Sequence, residues 1–263
     1  MRTTIMEYET KAIVDLAKQG KRADGRKLDE MRPLSMEFDI SKNAEGSAKV
    51  TLGNTVVISG IKMLPGMPYP DSPDKGSISV NAELLPLANP EYESGPPSID
   101  QVIFSRVVDR GIRESKSLDF KKLCIREGEL AWTAFVDYYA INADGNLIDA
   151  GSIASLLAFM KGKMPKLDKN DKVIKGEYSG KINLERLPIQ TSFAKIAGKI
   201  MLDPTYLEEK AAEARFSIAT TEDGYLCSFQ KSCNGFFTEA EVQYMVDTAM
   251  KTGIEVRKKL PKA

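Results

Sequence analysis

Between Ser105 and Lys116 the chain reads SRVVDRGIRESK, with Arg106, Arg110 and Arg113 spaced so that on a helix they share roughly a 60° arc. A row of guanidinium groups suits phosphate oxygens, because each is permanently charged and can donate two parallel hydrogen bonds to one phosphate. Phe104, Val107, Val108 and Ile112 fall on the other side, so the row would face outward from a helix lying on a sheet. A second reading stands beside this one. Asp109 with Arg113, and Arg110 with Glu114, are i,i+4 pairs of the kind that decorate solvated helices, each worth about a few tenths of a kcal/mol.

The remaining chemical inventory is restricted. The 263 residues include no histidine, which removes the commonest general acid or base of a neutral-pH active site. Cys124, Cys227 and Cys233 lack metal-ligand or redox-motif spacing and are expected as reduced, buried thiols. The 37 basic residues are balanced by 37 acidic ones, which argues against a general polyanion binder, so any affinity for nucleic acid must be local. With 42% hydrophobic and 28% charged residues the composition is that of an ordinary globular protein. No apolar run approaches a bilayer-spanning length, and MRTTIMEYETK lacks the basic-then-apolar build of a signal peptide; a cytoplasmic protein without membrane contact is expected.

The elements that must hold the arginines follow from periodicity. Helical spacing of Ala12, Ile13, Leu16 and Ala17 predicts a helix over residues 7–19, stopped by Gly20. LSMEFDI reads as a strand, and SAKVTLGNTVVISGIKML as a hairpin turning at Gly53-Asn54. KGSISVNAELLPL gives a further strand that ends near Pro86. Ser98 followed by Gln101 forms a capping box at the start of the arginine helix. Two strands separated by Glu127-Gly128 come next, and then a helix rich in small residues, IDAGSIASLLAFMKGKM. The lysine-rich stretch 161–187 reads as an exposed connection with an edge hairpin. Beyond it, FAKIAGKIMLD is expected as one strand, ARFSIATTEDGYLCSF as a hairpin and 239–258 as a helix, so a strand, hairpin, helix plan recurs in both halves.

Five segments in order carry a resemblance: RADGR (22–26), GSAKVTLGNTVVISGI (46–61), the arginine helix, WTAFVDYYAINADGNLIDAGSIAS (132–155) and LDPTYLEEKAAEARFSIA (202–219). Together they resemble the RNase PH family, and within it the ring subunits of the archaeal exosome that carry no catalytic centre. The resemblance implies an α+β fold of duplicated β-α-β subdomains sharing one core, of the ribosomal protein S5 domain 2-like type. It divides the chain into an N-terminal helix and assembly segment (1–30), a first subdomain (31–165), a lysine-rich connection (166–190) and a second subdomain (191–263). It also implies the chemistry of phosphorolysis, in which inorganic phosphate attacks the terminal phosphodiester at an RNA 3′ end and releases a nucleoside diphosphate. Active members carry helix arginines that hold RNA, an arginine after a glycine-rich turn that grips the attacking phosphate, and an essential aspartate late in the chain.

This sequence keeps the first part and departs from the other two. Arg106, Arg110 and Arg113 match the RNA-holding positions. Where active members show glycine-glycine-threonine-arginine-threonine, this chain reads DGNLIDAGS and sets Asp149 against the arginine, if the loop has one extra residue. At about 4 Å and an effective dielectric of about 20 a unit charge pair is worth about 4 kcal/mol, so reversing that charge repels the phosphate it should attract. Asp149 is expected instead to cap the helix beside it, and Ser152 to be structural. Arg215 stands at the essential aspartate and Ala212 at a nearby glycine. An arginine neither acts as a general acid at neutral pH nor holds magnesium.

These residues predict a non-catalytic, RNA-binding ring subunit with no cofactor or metal of its own. On the family pattern its partners are a catalytic RNase PH-like subunit in a trimer of heterodimers, RNA-binding cap proteins and single-stranded RNA. Three rivals remain open at this point: an autonomous phosphate-dependent 3′-to-5′ exoribonuclease, a metal-dependent hydrolase built on Glu208, Glu209 and Glu213, and a ring scaffold that never touches RNA.

Overall fold

The alternation of apolar and polar residues in the first half becomes a six-stranded sheet in a computed structural model describing residues 2–261. Strands β1 (Leu34–Phe38), β2 (Gly46–Leu52), β3 (Thr55–Gly66), β6 (Leu130–Asn142) and β4 (Ser77–Leu84) lie side by side in that order, with β5 (Cys124–Arg126) paired to β6. Ala48, Val50, Leu52, Val57, Ile61, Ala134, Val136 and Tyr138 point to one face and are buried, while Lys49, Phe135 and Tyr139 between them point outward. Only β4 runs parallel to its neighbour β6. A parallel pair needs a long crossover, and here it carries α2 (Ile99–Glu114) back across the buried face.

A second sheet has the order β10 (Lys199–Leu202), β9 (Ile189–Ile196), β11 (Ala214–Thr220), β12 (Leu226–Ser232), antiparallel throughout. Between the two sheets lies α3 (Leu147–Met160), touching β2 and β3 on one side and β9 on the other. That position explains its sequence: every residue but Ile148 and Met160 is buried, and an all-round apolar helix needs cover on all sides. Gly151 is required there, since a Cβ would lie 2.8 Å from the Tyr138 ring. α1 (Arg2–Lys18) packs Ile13 and Ala17 against Ala194, Ile196 and Met201 of the second sheet. α5 (Glu239–Lys259) covers the opposite face, with Met245 and Ala249 against Phe193 and Ile218. Consequently β9 is buried along its whole length.

Two details differ from the sequence reading. FAKIAGKIMLD is a hairpin rather than one strand, because Ala197 (φ 49°) and Gly198 (φ 73°) both take left-handed backbone, as a two-residue primed turn requires. The connection at 161–187 holds the expected hairpin, β7 (Lys163–Leu167) with β8 (Val173–Lys181), as a separate two-stranded sheet. None of the three thiols is fully buried: Cys124 and Cys227 are half-buried, and Cys233, in the turn after edge strand β12, is exposed. A short helix, α4 (Tyr206–Ala211), precedes β11. Among the described residues no helix is long and apolar enough to cross a membrane.

Candidate nucleic-acid interface

The arginine helix starts where its sequence says. Ser98 Oγ accepts from the Gln101 amide at 3.2 Å, Gln101 Oε1 accepts from the Ser98 amide at 2.7 Å, and α2 follows. Phe104, Val107, Val108 and Ile112 are buried beneath it, which turns Arg106 and Arg110 to solvent. Among the described residues neither of these two guanidinium groups has a hydrogen-bond or ion-pair partner. Arg113 is placed differently. Its Nε and Nη2 donate to the Asp109 carboxylate at 3.0 and 2.9 Å, Nη2 also donates to the Ile78 carbonyl of β4 at 3.0 Å, and the group stands over the Phe120 ring at 5.9 Å. The hydrogen bonds it donates to Asp109 are the main reason its pKa is raised further. The row therefore divides into two free cations and one latched to the sheet edge, around a groove of about 350 Å3.

Asp149 does not cap α3. Asn146 takes the cap in left-handed backbone (φ 53°), with its Oδ1 accepting from the Asp149 amide at 3.4 Å. Relieved of that task, the Asp149 carboxylate crosses to the second sheet. It accepts from the Ser192 amide at 2.9 Å and hydroxyl at 2.6 Å, and from Asn146 Nδ2 at 2.8 Å. The side chain is wholly buried, and burial pushes its carboxyl up to about 7; the Ser192 and Asn146 hydrogen bonds oppose the rise, and Asp203 nearby adds to it. A buried carboxyl group thus fills the position where the resemblance leads one to look for a phosphate-gripping cation. Ser152 is buried within the same helix.

Arg215, on β11, points its Nη1 at Glu209 Oε1, 3.5 Å away, while its Nε is buried without a partner. Burial, the largest influence, works against its charge, but Glu209, Cys233 and Asp100 together outweigh it, so the guanidinium pKa is raised. Arg215 and Glu209 line a cleft of about 410 Å3 with Tyr92, Asp100, Phe104 and Tyr206. The three glutamates weighed as metal ligands have separate partners. Glu208 is buried in a two-point pair with Arg22 (2.8 and 2.6 Å), Glu209 accepts from the Asn146 amide at 3.0 Å, and Glu213 accepts from the Ala197 amide at 2.8 Å. No group of three potential metal-ligating side chains converges among the described residues.

The sequence reading passed over Asp203. It is fully buried in left-handed backbone (φ 50°) and accepts from Arg32 N, Nε and Nη2 (2.8, 2.9 and 2.8 Å), Arg26 Nη1 (3.1 Å) and Asn146 Nδ2 (2.6 Å). Burial raises its pKa, yet Arg32's hydrogen bonds and charge prevail and hold it below the usual carboxylate range. The available signal was three arginines, at 22, 26 and 32, in a segment with no helical or strand periodicity; such charges need acids from elsewhere in the chain.

Comparison with known proteins gives consistent matches. Residues 30–165 match the model of the 3′ exoribonuclease family, domain 1, and residues 186–252 that of domain 2. The chain is 42% identical over 256 residues to the exosome complex component Rrp42 of Methanocella arvoryzae, covering 97% of this chain and 96% of that protein. A chain in the structure of the Archaeoglobus fulgidus exosome with RNA bound to the active site superposes with a TM-score of 0.91 at 37% identity, covering 97% of this chain and 99% of the other. A chain of an archaeal exosome core does so with a TM-score of 0.87 at 34% identity, covering 98% and 99%.

Proposed function

The chain belongs to the RNase PH family of 3′ exoribonucleases, and from that premise we propose that it is the non-catalytic subunit of an archaeal exosome ring. In this reading it binds single-stranded RNA with Arg106 and Arg110, and Arg113 braces the same helix against β4. It shapes the active site of a catalytic RNase PH-like partner that degrades the RNA phosphorolytically from its 3′ end. The ring is a trimer of heterodimers in the cytoplasm, capped on one face by RNA-binding proteins. Residues 31–165 and 191–263 form its two subdomains.

One observation carries the inactivity: Asp149 is spent on Ser192 inside the core, and Arg215 occupies the acid position. Asp149 cannot grip a phosphate dianion, and Arg215 cannot relay a proton, as the active pattern requires of those two positions. The test is to assay nucleoside diphosphate release from an oligoribonucleotide and orthophosphate, using this chain, the catalytic partner and the two combined. Release is expected only where the partner is present, and faster with both. Diphosphate release by this chain alone would make it an autonomous enzyme; magnesium-dependent monophosphate release would make it a hydrolase.

A further inference from the structure

On a chain whose charges cancel overall, an uncompensated group of lysines gathers where the β7–β8 hairpin meets the start of β2. Lys49, Lys62 and Lys166 nearby are paired with Glu37, Glu45 and Glu177. Lys42, Lys161, Lys163 and Lys175 have no carboxylate partner among the described residues. Two adjoining clefts, of about 510 and 240 Å3, share Lys42, Glu45 and Tyr178, and their walls set five lysines against two carboxylates, Asp39 and Glu45. Tyr178, 37% exposed, stands between them with Lys163 Nζ 5.3 Å from its ring centre; Lys161 Nζ lies 5.5 Å from that of Phe38.

The corner is rigid and internally unfavourable. The Lys163 amide donates to the Glu45 carbonyl at 2.9 Å, and a Cβ on Gly46 would fall 2.1 Å from the Ala158 carbonyl, so β2 and the end of α3 are held in close contact. Lys163 sits directly opposite Lys181 in the β7–β8 ladder, a like-charge pair that weakens the hairpin. Such a cost within a fixed scaffold calls for an external anion. A protein partner would be expected to bury an apolar centre, whereas here the exposed aromatic ring is surrounded by cations, as in a platform that stacks bases and tracks phosphates.

We propose that this corner is a second contact site for single-stranded RNA, at the end of α3 opposite Asp149, with phosphates on Lys42, Lys161, Lys163 and Lys175 and a base on Tyr178. The choice of RNA as the polyanion rests on the function proposed above. The test measures binding of labelled single-stranded RNA across a salt series, for the full chain and the assembled ring. Changing Lys42→Gln, Lys161→Gln, Lys163→Gln and Lys175→Gln together should lower the slope of log affinity against log salt by roughly two to three, at about 0.7 per phosphate. Tyr178→Ala should weaken binding about tenfold, and a 4-thiouridine crosslink at position 178 should disappear. The same variants in an Arg106→Glu, Arg110→Glu background separate the two readings: arginine changes without effect overturn the function proposed above, and lysine changes without effect overturn this one. Loss of polyglutamate binding with RNA binding and crosslink intact would also overturn it, by assigning the corner to an acidic protein.

Discussion

Asp149 shows how a carboxyl group becomes part of the packing between the two sheets. Its carboxyl is pushed to about 7, against an ordinary 3.8, with burial the largest cause. The native chain therefore retains a proton that the unfolded chain has released between about pH 4 and pH 7, so this group makes stability fall as pH rises through that window. Asp149→Asn cannot ionise and should lack the fall. In guanidinium denaturation the wild type should lose on the order of 2 kcal/mol relative to the variant between about pH 5 and about pH 8; a constant difference would contradict the raised pKa. Placing a cation there is a harsher change. Asp149→Arg would bury an unpaired charge against Ser192 and Ser217, at a cost of about 3 kcal/mol or more, and titration with orthophosphate should show no binding.

The arginine helix has two sides with different sensitivities. Arg106→Glu with Arg110→Glu touches exposed, unpaired groups, so the melting transition should move by less than about 0.5 kcal/mol while RNA crosslinking in the assembled ring weakens. Arg113→Ala removes the pair with Asp109 and the hydrogen bond to Ile78, and should loosen the end of β4, seen as faster amide exchange there. The groove between α2 and β4 depends on that latch, because among the described residues β4 is an edge strand paired only to β6. At the other end, Ser98→Ala would free the Gln101 amide and cost about 1 kcal/mol in thermal denaturation.

Across the whole molecule, the halves are tied by ions as well as by α3. Arg22, Arg26 and Arg32 from the segment before β1 reach Asp203 and Glu208 beyond the second sheet's first hairpin, and Asn146 links Asp203 to Asp149. Breaking a buried pair strands its partner, so Glu208→Ala should cost about 3–5 kcal/mol in chemical denaturation; a surface-like loss below about 1 kcal/mol would mean that water reaches Arg22. Much of this architecture was legible in the sequence, because the evidence for it is local. Alternation in GSAKVTLGNTVVISGI, the Ser98–Gln101 box and the apolar face of α2 are read from neighbours within a few residues, and they fix strands, helix start and the outward turn of Arg106 and Arg110. The use of the charged residues was decided by contacts far apart in the chain: Asp149 with Ser192, Arg22 with Glu208, Arg32 with Asp203, Arg113 with Ile78. A buried charge is stable only beside the partner that satisfies it, and that partner is chosen by how sheets and helices close over one another, which no local spacing records.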